Sequence, residues 1–268
     1  MKVAVTGANK GIGHAVVLAL LADPEVGHVY FTARDEKLAE EALKGFKEAA
    51  KGKQVDYLLL DILAEGAVEK FVNQLKEKKL QFDVFINNAG VFMMGLKKEI
   101  LETQFRVNYT FPIELTHALI KENLVKKGGR FIYTSSGMGN VQMIKDHAEA
   151  VEFVKNYKSD KTTEKAITEL AKRYQAEVMD PSKGWGDNLY AHSKMFLTIT
   201  VHALAKEHKD FTFYAACPGF VATTMTQGMG ATRTPAEGAD TIAYLATAKL
   251  GCELNGEFFN ERKLANIL

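Results

Sequence analysis

"TGANKGIG", residues 6–13, is the stretch whose reading decides the fold. It completes "KVAVT" (2–6), an apolar, β-branched run that reads as a strand, and it opens a segment of helical character over 11–22. Glycine at 7, 11 and 13 lets the backbone turn tightly and approach a pyrophosphate. The helix N-terminus behind the turn offers unpaired N–H groups and the positive end of its dipole to the same anion. The spacing is Gly-x-x-x-Gly-x-Gly, not the commoner GxGxxG.

Further runs of strand character follow: "HVYFT" (28–32), "VDYLLL" (55–60), "FDVFI" (82–86), "RFIYT" (130–134), "FTFYAAC" (211–217) and "EFF" (257–259). Most are nearly continuous apolar runs, as expected of strands buried on both faces. Helical segments over 35–51, 64–78, 98–126, 189–208 and 235–248 separate them. The alternation predicts right-handed βαβ units in an α/β fold, a Rossmann-type doubly wound parallel sheet of about seven strands in one domain over 1–268. One region breaks the rhythm. "AEAVEFVKNY" and "TEKAITELAKRYQAEV" read as two helices, with Ile167, Leu170, Ala171, Tyr174 and Val178 forming one apolar stripe. They predict an inserted helical hairpin over about 140–184.

Net charge is +1, which gives no electrostatic case for nucleic acid or an anionic membrane. Two cysteines, Cys217 and Cys252, form no CxxC pattern, and reduced thiols in a cytoplasmic protein are expected. The seven histidines include no HExxH and no pair four residues apart, so no metal site is expected. The absence of GxSxG argues against a hydrolase elbow. "MKVAVTGA" runs directly into a strand, so no signal peptide is expected, nor is any apolar stretch long enough for a membrane helix.

"LYAHSK" (189–194) sets Tyr190 and Lys194 one helical turn apart. Tyr157 and Lys161 repeat the spacing in a polar stretch and read as a compositional match. In order along the chain stand "TGANKGIG", Asp61-Ile62 at the end of the third strand, "NNAG" (87–90), Asn108, "SSGMG" (135–139), Tyr190-x-x-x-Lys194 and "PGFVATT" (218–224). Taken together they resemble the short-chain dehydrogenase/reductase family over essentially the whole chain. The long gap between Ser136 and Tyr190, with "TARD" (32–35), "GW" (184–185) and "CPGF" (217–220), resembles its monomeric carbonyl reductase branch. The hairpin is expected to cover the helix face through which most members pair, leaving a monomer.

This resemblance implies a catalytic set of Asn108, Ser136, Tyr190 and Lys194. Tyr190 protonates the carbonyl oxygen as hydride arrives, Lys194 holds the cofactor ribose, Ser136 bonds the substrate oxygen, and Asn108 supports a relay water. The S-x-x-G spacing ending at Gly139 favours Ser136 over Ser135. A cation one turn away is expected to lower the Tyr190 pKa toward the operating pH. His192 is expected to point away from the site. Cofactor contacts are assigned to Gly7, Asn9, Lys10, Gly11, Ile12, Gly13, Arg34, Asp61, Ile62, Asn88, Ala89, Gly90, Tyr190, Lys194, Pro218, Gly219, Val221 and Thr223. Ala33 stands where NAD-preferring relatives carry Asp. Arg34 and Lys10 suit a 2′-phosphate, so NADPH is expected. Asp35 reads as a helix cap. Met138, Trp185, Cys217, Phe220 and Met225 are candidates for an apolar substrate pocket. The implied activity is NADPH-dependent reduction of ketones, aldehydes or quinones to alcohols. A pathway-specific ketone reductase and a non-catalytic NADPH-binding regulator are the alternatives.

Overall fold

A computed structural model describes all of residues 1–268. The chain forms β1 (Lys2–Val5), α1 (Gly11–Ala22), β2 (His28–Ala33), α2 (Glu36–Ala49), β3 (Gln54–Leu59), α3 (Ala67–Glu77) and β4 (Phe82–Asn87). Next come α4 (Lys98–Phe105), a π turn (Arg106–Thr110), α5 (Phe111–Lys121), β5 (Val125–Thr134), α6 (Ala148–Lys155), α7 (Glu164–Glu177) and α8 (Leu189–Glu207). Last are β6 (Thr212–Cys217), α9 (Pro235–Thr247), β7 (Phe258–Asn260) and β8 (Lys263–Leu264).

All eight strands join one sheet in the order β3-β2-β1-β4-β5-β6-β7-β8. Seven run parallel, and β8 returns antiparallel on β7. The expected count of about seven misses only this two-residue edge, which has no β-branched run to announce it. Residues Val3, Ala4 and Val5 of β1 and Val84, Phe85 and Ile86 of β4 are buried on both faces, as their continuous apolar runs require. By contrast, β3 lies at the edge: Val55 and Leu58 are buried while Asp56 and Leu59 are exposed. One core layer sits under α1, α2 and α9 and includes Val16, Phe46 and Ile242. The larger layer lies on the opposite face under α3, α5 and α8 and includes Phe71, Leu115 and Phe196.

The irregular segment forms the hairpin α6–α7. Thr163 caps α7 by accepting from the Ala166 N–H at 3.2 Å. The stripe Ile167, Leu170, Ala171, Tyr174 and Val178 is buried. The Tyr174 ring stacks on Phe105 at 5.1 Å and on His192 at 4.7 Å. With the sheet on one side and the hairpin on the other, α8 buries 15 of its 19 residues, the signature of a helix enclosed all round. No helix is long and apolar enough to cross a membrane.

Candidate active site

The order β2-β1-β4-β5 reverses direction between β1 and β4, and such a switch opens a crevice at the carboxyl ends of the strands. Side chains there tie the strand ends together. Thr6 Oγ1 accepts from the N–H groups of Asn88 and Ala89, both at 3.0 Å. Asn88 Nδ2 donates to the carbonyls of Thr6 at 2.9 Å and Gly7 at 3.2 Å. Thr134 Oγ1 donates to Asn88 Oδ1 at 3.3 Å, and the Gly7 N–H donates to Thr32 Oγ1 at 3.0 Å. The packing leaves no room at position 13, where a Cβ would lie 2.7 Å from the Gly7 carbonyl oxygen. α1 enters the crevice with Lys10 at its N-cap and no side-chain cap, whereas α2, α7, α8 and α9 are capped. Its first-turn N–H groups are therefore left for an anion.

Gly7, Lys10, Gly11, Ile12, Gly13, Asn88, Gly90, Tyr190, Lys194, Pro218 and Thr223 line this cleft. Seven expected contacts do not line it, of which Gly219 and Val221 line the apolar cavity beyond Tyr190. Asn9 is half-buried within the glycine turn, and Ile62 is half-buried beyond β3. Asp61 is exposed, and its Oδ1 accepts from the Leu63 N–H at 3.1 Å. Arg34 follows β2 with its side chain 75% exposed, 3.6 Å from the Asp35 carboxylate. Asp35 in turn caps α2, accepting from the Leu38 N–H at 2.9 Å. Ala89 backs the clamp and does not line the cleft. The donor set, free amides in a glycine cradle with Lys10 at its edge and Arg34 at a strand end, fits a phosphorylated dinucleotide.

Asn188 Oδ1 accepts from the Ala191 N–H at 3.0 Å and fixes the start of α8, so Tyr190 falls in the first turn. The Ser136 hydroxyl lies beside its phenol. Ser135 points into the core, on Thr198 Oγ1 at 2.6 Å and the Lys194 carbonyl at 3.2 Å. Gly139 lets the loop close on α8: a Cβ there would lie 2.6 Å from the Met195 nitrogen. The Lys194 ammonium donates to the Thr134 carbonyl at 2.7 Å and lies 6.0 Å from the centre of the Tyr190 ring. The expected lowering of the Tyr190 pKa does not appear. Burial pushes the phenol up to about 12, opposed by the Ser136 hydroxyl beside it. Burial also holds Lys194 down at about 8. At this separation, with the ammonium spent on a carbonyl, desolvation outweighs the cation's field.

Asn108 lies in the π turn. Pro112 has no N–H to give the carbonyl four residues earlier, that of Asn108, which accounts for the slipped ladder there. The Asn108 side chain accepts from the Val91 N–H at 2.8 Å and donates to the Val91 carbonyl at 2.9 Å and to Ser193 Oγ at 3.1 Å. It thus binds the loop after β4 to α8.

Beyond Tyr190 opens an apolar cavity of about 540 Å³. Ser136, Met138, Cys217, Gly219, Phe220, Val221 and Met225 line it, together with Phe92 and Met229, which the sequence did not single out. Phe92 meets Tyr190 edge-on at 5.1 Å. Cys217 Sγ accepts from the N–H groups of Gly137 at 3.2 Å and Gly219 at 3.3 Å. Trp185 is a correction: it is buried in the hairpin, edge-on to Tyr174 at 5.1 Å, with its Nε1–H given to Glu177 Oε2 at 2.9 Å. His192 also turns to the hairpin, where burial lowers it to about 4. Tyr157 is buried against His202, away from the cleft. Thr6, Thr32 and Thr134, the hydroxyls of the clamp, carried no role in the sequence reading.

A family model described as short chain dehydrogenase matches residues 1–149. Carbonyl reductase (NADPH) 1 of Rattus norvegicus is 29% identical over 272 residues, covering 97% of this chain and 96% of the relative. Among solved structures, salutaridine reductase from Papaver somniferum superposes with a TM-score of 0.82 at 23% identity, covering 97% of this chain and 99% of that one. NADPH-bound carbonyl reductase from chicken fatty liver superposes with a TM-score of 0.69 at 21% identity, covering 97% and 95%.

The depressed Lys194 pKa has a consequence for stability. Below about pH 8 the folded chain bears the full penalty of a buried ammonium. Between there and 10.5, the ordinary value, the folded lysine is neutral while the unfolded one stays charged. Stability should therefore rise with pH across this window, by about 1.4 kcal/mol per unit of pKa difference. Urea unfolding of the nucleotide-free protein is expected to show wild type gaining on Lys194→Met between pH 7 and pH 10. A pH-independent difference would mean that the ammonium is solvated in the folded chain.

Proposed function

Since the chain belongs to the short-chain dehydrogenase family, we propose that it reduces ketones, aldehydes or quinones to alcohols with NADPH. The observation that carries this reading is the position of Tyr190, which lines both the glycine cleft and the apolar cavity. A group in the cleft and a carbonyl in the cavity would meet at its phenol. The similarity to carbonyl reductase (NADPH) 1 over nearly the whole of both chains supports the same reaction.

Bound NADPH supplies the hydride to the carbonyl carbon. The loop Gly7–Gly13 and the free amides of α1 would hold its pyrophosphate, Lys10 and Arg34 its 2′-phosphate, and Asn88, Gly90, Pro218 and Thr223 its nicotinamide half. Asn9, Asp61 and Ile62 would flank the adenosine end. With its pKa raised to about 12, Tyr190 keeps its proton at neutral pH and is available as the acid. It gives that proton to the oxygen as negative charge develops there, and Ser136 donates a second hydrogen bond to the same oxygen. The Lys194 ammonium, anchored on the Thr134 carbonyl, lies beside Tyr190 as a buried positive charge that favours the resulting phenolate. Asn108 keeps Val91 and α8 in register around it and would support the relay water that returns the proton.

Tyr190→Phe is expected to lower kcat/KM for a quinone or aromatic ketone by roughly 10²–10⁴-fold while the fold is retained. Undiminished turnover would remove Tyr190 from the reaction. A panel of quinones, aldehydes and ketones separates a broad reductase from one dedicated to a single pathway ketone, and tight NADPH binding without any turnover would favour a regulator.

Arg34 is exposed and only loosely paired with Asp35, whose other carboxylate oxygen caps α2, so its guanidinium can turn to a 2′-phosphate. Arg34→Ala should raise KM for NADPH by roughly tenfold or more, the worth of a charge-assisted contact, and leave KM for NADH nearly unchanged. Equal effects on both would reject the assignment.

We further read the chain as a cytoplasmic monomer. The hairpin α6–α7 encloses α8, and both Cys217 and Cys252 are unpaired. Light scattering should give a mass near 29.7 kDa, and cell fractionation should place the chain with the cytoplasmic enzymes. A dimer mass would show that another face pairs.

A further inference from the structure

Far from the cleft, the fold assembles three residues that no sequence motif joins. His117 lies near the end of α5, Glu164 opens α7, and His208 caps the end of α8. One donor atom from each lies within 4.8 Å of the other two, and all three side chains are half-buried. His117 Nε2 and Glu164 Oε1 are 2.8 Å apart, and the two imidazoles are 5.5 Å apart between ring centres. Glu207 accepts from the Glu164 N–H at 2.8 Å, which holds the start of α7 against the end of α8 and adds a second carboxylate.

An ion pair needs only one imidazole and one carboxylate. The second imidazole adds no stabilising partner to such a pair, but it completes a donor set of two nitrogens and one oxygen, which is that of an open zinc site. Calcium and magnesium prefer oxygen ligands throughout. Bonds of about 2.0–2.2 Å place tetrahedral donors about 3.3 Å apart. The cluster is therefore looser than a loaded site, by an amount that rotation of half-exposed side chains can close.

We propose that His117, Glu164 and His208 bind a divalent transition-metal ion of the zinc class, with water completing the coordination, and that the ion pins the inserted hairpin to α5 and α8. The ion has no part in the reaction, because His208 follows Tyr190 by 18 residues on the same helix, roughly 27 Å along its axis. Sequence spacing led to the expectation of no metal site. The ligands stand 47 and 44 residues apart and meet only through tertiary packing.

The test uses the full chain, stripped with EDTA and titrated with Zn²⁺ by calorimetry and with Co²⁺ by visible absorption. One equivalent should bind, with a Co²⁺ spectrum of nitrogen and oxygen ligation that lacks a thiolate charge-transfer band and so excludes Cys252. Zn²⁺ should raise Tm. His117→Ala and His208→Ala should each weaken binding at least about tenfold, abolish the Tm rise and leave NADPH-dependent turnover unchanged. Absence of stoichiometric uptake, a thiolate band, or uptake that neither substitution weakens would overturn the proposal and leave an ion pair between the hairpin and α5.

Discussion

The amide of Asn88 is the contact on which the cleft depends. Its two N–H groups take the carbonyls of Thr6 and Gly7, and its oxygen accepts from Thr134. Both carbonyls lie just before the helix whose N-terminus is uncapped, and the amide takes up their partial negative charge. Turned inward, they leave the cleft to the uncapped N–H groups of α1. One side chain thus fastens the ends of β1, β4 and β5 where the sheet reverses. A carboxylate at 88 could accept but not donate, and both carbonyls would lose their partners.

Burial is the second constraint, and it governs the acid–base groups. Tyr190 and Lys194 are both shifted toward their neutral forms by desolvation. For the phenol this keeps the proton in place at neutral pH. For the ammonium it means that the positive charge is held at a cost, offset by the Thr134 carbonyl. The groups that close around the pair come from the strand ends and their loops: Gly90 and the Thr134 carbonyl beside the ammonium, Gly139 against the α8 backbone, and Phe92 edge-on to the Tyr190 ring.

Much of this was legible in the chain. Glycine spacing, strand runs and the order of the short motifs gave the sheet, the cleft and the positions of Ser136, Tyr190 and Lys194 around it. Local chemistry also read correctly at Asp35, whose carboxylate caps α2. What failed was whatever depends on which neighbour lies across the fold. Trp185 sits five residues before Tyr190, yet its ring turns into the hairpin because Glu177 offers its N–H a partner there. The sign of the Tyr190 shift was misread because helical spacing reports proximity and says nothing of solvent access. Phe92 and Met229 were missed since an apolar residue in a loop looks the same whether it faces a cavity or water. The threonine clamp was invisible for a similar reason: a hydroxyl at a strand end has many possible partners.

The hairpin also sets how the groups around the cleft are distributed along the chain. Ser136 and Tyr190 stand 54 positions apart, and the whole hairpin lies between them. Loop closure alone costs only roughly 1 kcal/mol more for such a span than for a dozen residues. The larger effect is one of chain order: Ser136 and Tyr190 lie on either side of α6 and α7, whereas β1 to β4 and the glycine turn lie wholly upstream of both. The glycine turn and the strands beside it are thus drawn from one continuous stretch of chain, while Ser136 and Tyr190 are drawn from two stretches that the hairpin separates.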